Sequence, residues 1–234
     1  MPAAPVVAVL NTKGGSGKTT LCVNVATCLH RQIRSEQQPP PGRGGGVALL
    51  DTDAPQHTAA DWRARAARPG EKTLPEVQTV GTPRKLRERA ENLRAQRAAV
   101  FVDGAGSLEG MTGAAVGVAT VVLVPARPSP LDLWGTRDLV DVIKARQERT
   151  GGKPVAAFVI SQAVAQANIS AQATEALGSL ALPTLEARTG HRVAYAETMT
   201  RGGTVLDRPS SKAAAEVRRI TGELNDLLKG YSTK

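Results

Sequence analysis

The chain has 234 residues, enough to bury a core as one α/β domain, and 41% are hydrophobic but only 3% aromatic, so that core is aliphatic and alanine-rich. Thirty Lys and Arg against 21 Asp and Glu give a formal charge of +9, which favours a polyanionic partner without proving one. Cys22 and Cys28 make neither a disulfide framework nor a metal site and fit a reducing cytoplasm; no apolar run approaches a membrane span, and no basic-then-apolar signal opens the chain.

The first element is a buried strand over 6–11, beginning Val6-Val7-Ala8-Val9-Leu10. It runs into Lys13-Gly14-Gly15-Ser16-Gly17-Lys18-Thr19-Thr20 and then a helix over 18–33. Strand, glycines, Gly-Lys-Thr and helix in that order form a P-loop. The glycines let backbone N–H groups curl around phosphate oxygens, and the helix N-terminus adds its partial positive charge. Gly14, Gly15, Ser16, Gly17 and Thr20 would line the phosphates, Lys18 would reach the β- and γ-phosphates, and Thr19 would sit on Mg²⁺.

Residues 35–46 read SEQQPPPGRGGG, and three prolines followed by glycines predict an exposed flexible loop. A strand over 46–51 follows and runs into Asp51-Thr52-Asp53-Ala54-Pro55-Gln56. Carboxylates at the carboxyl end of a parallel strand point into the crevice where ligands bind. The same pair also suits a cap for the next helix, 57–68. A strand over 76–80 precedes a helix over 83–96, whose Arg84, Lys85, Arg87 and Arg89 read as a solvated face. Ala99-Val100-Phe101-Val102-Asp103 ends the strand 98–103 as a Walker B motif, with Asp103 holding Mg²⁺ through water and Gly104 and Gly106 suiting a switch loop.

Strand 119–124 leads through Pro128-Ser129-Pro130 into a helix over 131–148, with Ser129 and Asp132 as expected caps. Strand 154–160, helix 170–179, strand 182–186 and helix 211–229 complete the pattern. Apolar strands alternating with helices predict a P-loop NTPase fold over 1–234: one domain, a mostly parallel twisted sheet of about seven strands, helices on both faces.

A second lysine opens the loop at Lys13, and K-G-G-x-G-K-T is the deviant Walker A box. With Asp51, Asp53, Asp103 and the P-S-P-L-D stretch in order, the chain resembles the ParA/MinD family of ATPases, most closely the small ParF-like plasmid partition ATPases. The resemblance thins after residue 160, and the expected base contacts are Ser161-Gln162 and the loop Glu186-Ala187-Arg188. It implies that Lys13 reaches the phosphates of a partner subunit, that Asp53 orients the attacking water and that Asp51 supports the Mg²⁺ shell. It also implies that a C-terminal basic patch of Arg188, Arg192, Arg201, Lys212, Arg218 and Arg219 binds DNA without sequence preference; a solvated basic face is the plainer alternative.

The function implied is an Mg²⁺-dependent ATPase for plasmid partition, cytoplasmic and nucleoid-associated in a bacterium. ATP bridges a homodimer, the dimer binds nucleoid DNA, and a centromere-bound adaptor of ParB or ParG type stimulates hydrolysis. The same switch positioning a protein cargo or conjugation complex is the alternative, as is a MinD-like membrane-associated ATPase. Membrane binding is disfavoured because Glu216, Glu223 and Asp226 interrupt the cationic face of the last helix and no aromatic anchor is present. A cluster-bearing reductase is set aside on the placement of Cys22 and Cys28, a ligase for lack of a substrate-binding set, and a GTPase for lack of a guanine-reading motif.

Overall fold

The apolar runs rich in valine and alanine become six strands: β1 (Val6–Val9), β2 (Val47–Asp51), β3 (Glu76–Thr79), β4 (Ala99–Asp103), β5 (Val121–Ala126) and β6 (Val155–Ile160). They form one sheet in the order β3-β2-β4-β1-β5-β6, every neighbouring pair parallel. The computed structural model describes residues 3–35, 45–53, 56–66, 73–106, 110–164 and 171–232. Most of the 35–46 loop, together with Ala54, Pro55 and Ser107, lies outside them.

The helices between strands are α1 (Lys18–Ser35), α2 (Thr58–Arg65), α3 (Pro83–Gln96), α4 (Met111–Val118), α5 (Pro130–Trp134) and α6 (Arg137–Arg149), and α7 (Ala171–Leu180), α8 (Val193–Thr200) and α9 (Lys212–Ser232) follow β6. Alternate strand residues face opposite sides, so the core has two layers. Val7, Val9, Leu49, Phe101 and Leu123 pack with residues of α1, α2 and α9, while Val6, Ala8, Leu50, Val102 and Val122 pack with those of α3, α4, α6 and α7. A sheet covered on both faces explains why the strands read as continuous apolar runs rather than as alternation.

The register fixes where chemistry is possible. Asp103 lies opposite Val9 on one side and opposite Asp51 on the other. The carboxyl ends of β1, β2 and β4 therefore finish level, with the loop of Lys13 to Lys18 directly above them.

Three expectations are corrected. The segment 182–186 is not a seventh strand: it makes one bridge, Phe158 to Thr184, through Phe158 N–H to Pro183 O and Leu185 N–H to Phe158 O. Beyond it the Glu223 carboxylate takes the N–H groups of Glu186 and Ala187 at 2.9 and 2.7 Å, which draws the chain off the ladder. The helix expected over 131–148 is two, α5 and α6, broken at Gly135-Thr136, where the Gly135 carbonyl accepts from Thr12 Oγ1 and Thr136 Oγ1 turns back onto Leu133 O. Finally, α4 is a helix for which the sequence pattern makes no provision. Its sequence, MTGAAVGV, carries no polar–apolar period because it is small-residue throughout.

Glu223 thus replaces ladder bonds with side-chain bonds. Glu223→Ala leaves two amides without their acceptor and is expected to lower stability by about 1–3 kcal/mol, read from denaturant unfolding.

Candidate functional site

Between β1 and α1 the chain turns through Gly15 and Gly17, whose φ values of 69° and 88° are open to glycine and strained for other residues. The loop is held from outside. Gly15 O accepts from Arg127 Nη2 and Gln162 Nε2, each at 2.8 Å, and Ser16 O accepts from Ser161 Oγ at 2.8 Å. Asn11 completes the frame, donating to Pro125 O and accepting from Lys13 N–H. Turning the carbonyls of Gly15 and Ser16 to the ends of β5 and β6 leaves the amide side of the loop to an anion.

That side borders a cavity of about 610 Å³ lined by Gly14, Gly15, Gly17, Lys18, Thr19, Thr20, Asp53, Gln56, Ala105 and Gly106. Lys18 is buried, its Nζ 3.2 Å from Lys13 O. Burial lowers its pKa, opposed by the charges of Asp53 and Asp103. A phosphate would add its charge to the two carboxylates already acting on this ammonium.

Asp103 is fully buried, and neither carboxylate oxygen has a hydrogen-bond partner of good geometry. Burial pushes its pKa up to about 8; the Thr19 side chain and Lys18 pull it down while Asp51 and Asp53 push it further up. An unpartnered carboxylate beside the hydroxyl of Thr19, a residue that lines the cavity, is an all-oxygen donor set. It fits Mg²⁺, which takes hard oxygen ligands and keeps several waters.

Asp51 does something other than line the cavity. It is fully buried, Oδ1 accepts Asp53 N–H at 3.0 Å, Oδ2 accepts Ala60 N–H at 2.9 Å, and His57 Nδ1 lies 3.8 Å from Oδ1. It ties Asp53 to the start of α2, so both of its oxygens serve the capping alternative. His57, just before α2, lies in the left-handed region at φ 43°, unusual for a residue with a side chain.

Thr52 is a site residue that sequence reasoning missed. Its Oγ1 donates to Asp103 O at 2.7 Å and accepts Ala105 N–H at 3.2 Å, tying the loop after β2 to the loop after β4. Its position between two aspartates was the available signal. Gly104 beside it has little room for a side chain, since a Cβ there would lie 2.3 Å from Leu10 Cδ2 and 3.0 Å from Val9 O.

A second cavity, about 230 Å³, shares Gly17 and Thr20 with the first and runs to Ser161, Gln162, Thr189, Gly190, His191, Arg192, Tyr195 and Val217. Ser161 and Gln162 line it while donating to the carbonyls of Ser16 and Gly15. Glu186, Ala187 and Arg188 do not line it; the four residues after them do.

Arg192, expected as a DNA contact, is held in an ion pair within the chain. Its Nε and Nη2 donate to Glu216 Oε1 at 2.8 and 2.6 Å, while Glu216 Oε2 accepts from Gly190 N–H and Tyr195 Oη. Burial, and next the Glu216 charge, push the Tyr195 phenol well above its usual range, so it remains a donor. Arg188, Arg201, Lys212, Arg218 and Arg219 are exposed, with Arg218 donating to Pro209 O. Lys13 does not line the phosphate cavity: its Nζ lies 2.8 Å from Asp132 Oδ1, so Asp132 is an ion-pair partner rather than the expected cap.

No family model matches the sequence. The chain is 26% identical over 224 residues to maintenance of carboxysome distribution protein A of Halothiobacillus neapolitanus, covering 93% of this chain and 95% of that one. Among solved structures, apo McdA of Cyanothece superposes with a TM-score of 0.73 at 13% identity, covering 94% of this chain and 99% of that chain. The septum site-determining protein MinD of Pyrococcus horikoshii, solved with Mg-ADP, gives 0.69 at 18% identity, covering 97% and 98%.

The Asp103 pKa sets a pH dependence for nucleotide-free, metal-free protein. The unfolded carboxyl titrates near 3.8 and the folded one near 8, so the native state retains a proton that the unfolded chain loses. Stability is full below the lower value and falls as pH rises through the upper one. Asp103→Asn escapes this loss, and its stability relative to the parent should grow by a few kcal/mol, to order of magnitude, between about pH 4 and pH 8 in denaturant titrations.

Proposed function

We propose, from the premise that this chain shares the fold and ordered nucleotide motifs of the ParA/MinD-type P-loop ATPases, that it is an Mg²⁺-dependent ATPase working as a dimerisation switch. The observation that carries this is the convergence of Lys18, Thr19 and Asp53 on one cavity beside the P-loop, with the buried Asp103 next to Thr19.

Lys18 and the loop amides hold the phosphates of ATP, and the adjoining cavity takes the nucleoside. Thr19 and Asp103 would hold Mg²⁺, Asp103 through water, and the bound ion would supply charge neutralisation at the transferring phosphate. Asp53, at the cavity wall near Lys18, orients the attacking water. Lys13 serves the partner subunit's phosphates in a nucleotide-bridged homodimer. Catalysis of this kind is positioning plus electrostatic stabilisation, with no covalent step on the protein.

The dimer's cellular anchor is non-specific nucleoid DNA, held by the exposed cations Arg188, Arg201, Lys212, Arg218 and Arg219. Phosphate contacts by lysine and arginine give sequence-independent, salt-sensitive binding. Plasmid partition with a ParB- or ParG-type adaptor is one use of such a switch. Positioning of a protein compartment is the second reading, favoured by the name of the relative matched over nearly the whole chain.

Asp53→Ala should still bind ATP yet lose at least about 10²-fold in turnover, measured as phosphate release. Binding to random duplex DNA should require ATP, and Arg218→Ala/Arg219→Ala should reduce the slope of log affinity against log salt by about two. Equal DNA binding with ATP, with ADP and without nucleotide would remove the switch; no binding in any state would remove the nucleoid anchor.

A further inference from the structure

Lys13 sits on a short helix of its own subunit. Its Nζ is 2.8 Å from Asp132 Oδ1 and 3.3 Å from Leu131 O, both on α5. Gly135 leaves room for this approach, since a Cβ there would lie 3.3 Å from Lys13 Cε. Thr12 Oγ1 donates to Gly135 O and fixes the backbone beside it. The lysine is thus turned onto α5 and away from the cavity that Lys18 serves.

The same helix carries an uncovered apolar surface. Leu131 and Trp134 are 69% and 51% exposed, two of the four large hydrophobic residues so exposed among the described residues. They flank Asp132 in sequence. An exposed apolar pair beside a displaceable ion pair is suited to burial against another protein surface.

We propose that Asp132 is a positioning residue that parks Lys13 in cis, and that α5 is covered by a second copy of this chain when Lys13 is released to the partner's nucleotide. This rests on the reading of Lys13 as a residue acting across a dimer. Lys13 cannot hold Asp132 and contact the partner's phosphates at once, so the pair competes with assembly. Its side chains are 43% and 24% exposed, and such solvent-screened pairs are weak. The contact therefore sets the threshold for dimerisation without forbidding it.

The test measures dimerisation by sedimentation velocity against ATP concentration, with ADP as the control. Asp132→Asn keeps the side-chain shape but removes the charge, and should lower the half-saturating ATP concentration roughly 2–5-fold while the ADP form remains monomeric. Asp132→Glu, which retains the carboxylate, should stay near the parent, and Asp132→Ser should follow Asp132→Asn should the latter fail to fold. An unchanged or raised ATP requirement in folded Asp132→Asn overturns the parking role. Leu131→Ser/Trp134→Ser should weaken the ATP dimer; unchanged assembly overturns the α5 surface. Lys13→Ala separates the premise from the proposal: loss of ATP dimers upholds Lys13 as a trans residue whatever Asp132 does, and normal dimers sink that reading together with this one.

Discussion

A carboxylate buried without a partner is the constraint around which this structure is arranged. Asp103 ends a strand with no polar neighbour sufficient to stabilise its charge, and burial raises its pKa to about 8. That placement follows from the parallel register, which sets Asp103 level with Asp51 and Val9. A fold selected only for stability would place an apolar or hydrogen-bonded residue there. A fold that binds a cation at the end of β4 needs an acid whose oxygens are unspent.

The neighbouring acids are spent, and this division of labour shapes the site. Asp51 gives both oxygens to the backbone amides of Asp53 and Ala60, so it organises the approach of Asp53 without lining the cavity itself. Thr52 links the turn after β2 to that after β4 through Asp103 O and Ala105 N–H. A change at either loop is thereby felt by the other through short, directional bonds. Such coupling suits loops that sense a γ-phosphate.

The positive charge of the chain is concentrated outside by a related economy of acids. Glu216 and Glu223 lie seven residues apart on α9, on one side of the helix, and both turn inward to hold the 186–192 segment. Glu216 neutralises Arg192, while Arg218 and Arg219 stay at the surface. In the sequence these glutamates look like interruptions of a basic face. In the structure they secure a wall of the nucleoside-sized cavity and leave the outer face basic.

The P-loop, the ends of β2 and β4 and the parallel sheet were legible in the chain itself. Their chemistry is written in contiguous residues, and short-range sterics and backbone hydrogen bonding dictate their form. α4 was invisible because its small residues carry no periodicity, and the edge at 182–186 was over-read because an apolar run does not reveal that a distant Glu223 takes its amides. Sequence by itself determined the phosphate loop, the order of the acids and the fold class, all of which depend on local spacing. Only the tertiary structure decided which acid is unpartnered, which arginine is neutralised and where Lys13 points. Those outcomes depend on burial and on pairings between residues more than twenty positions apart, for which linear spacing carries no signal.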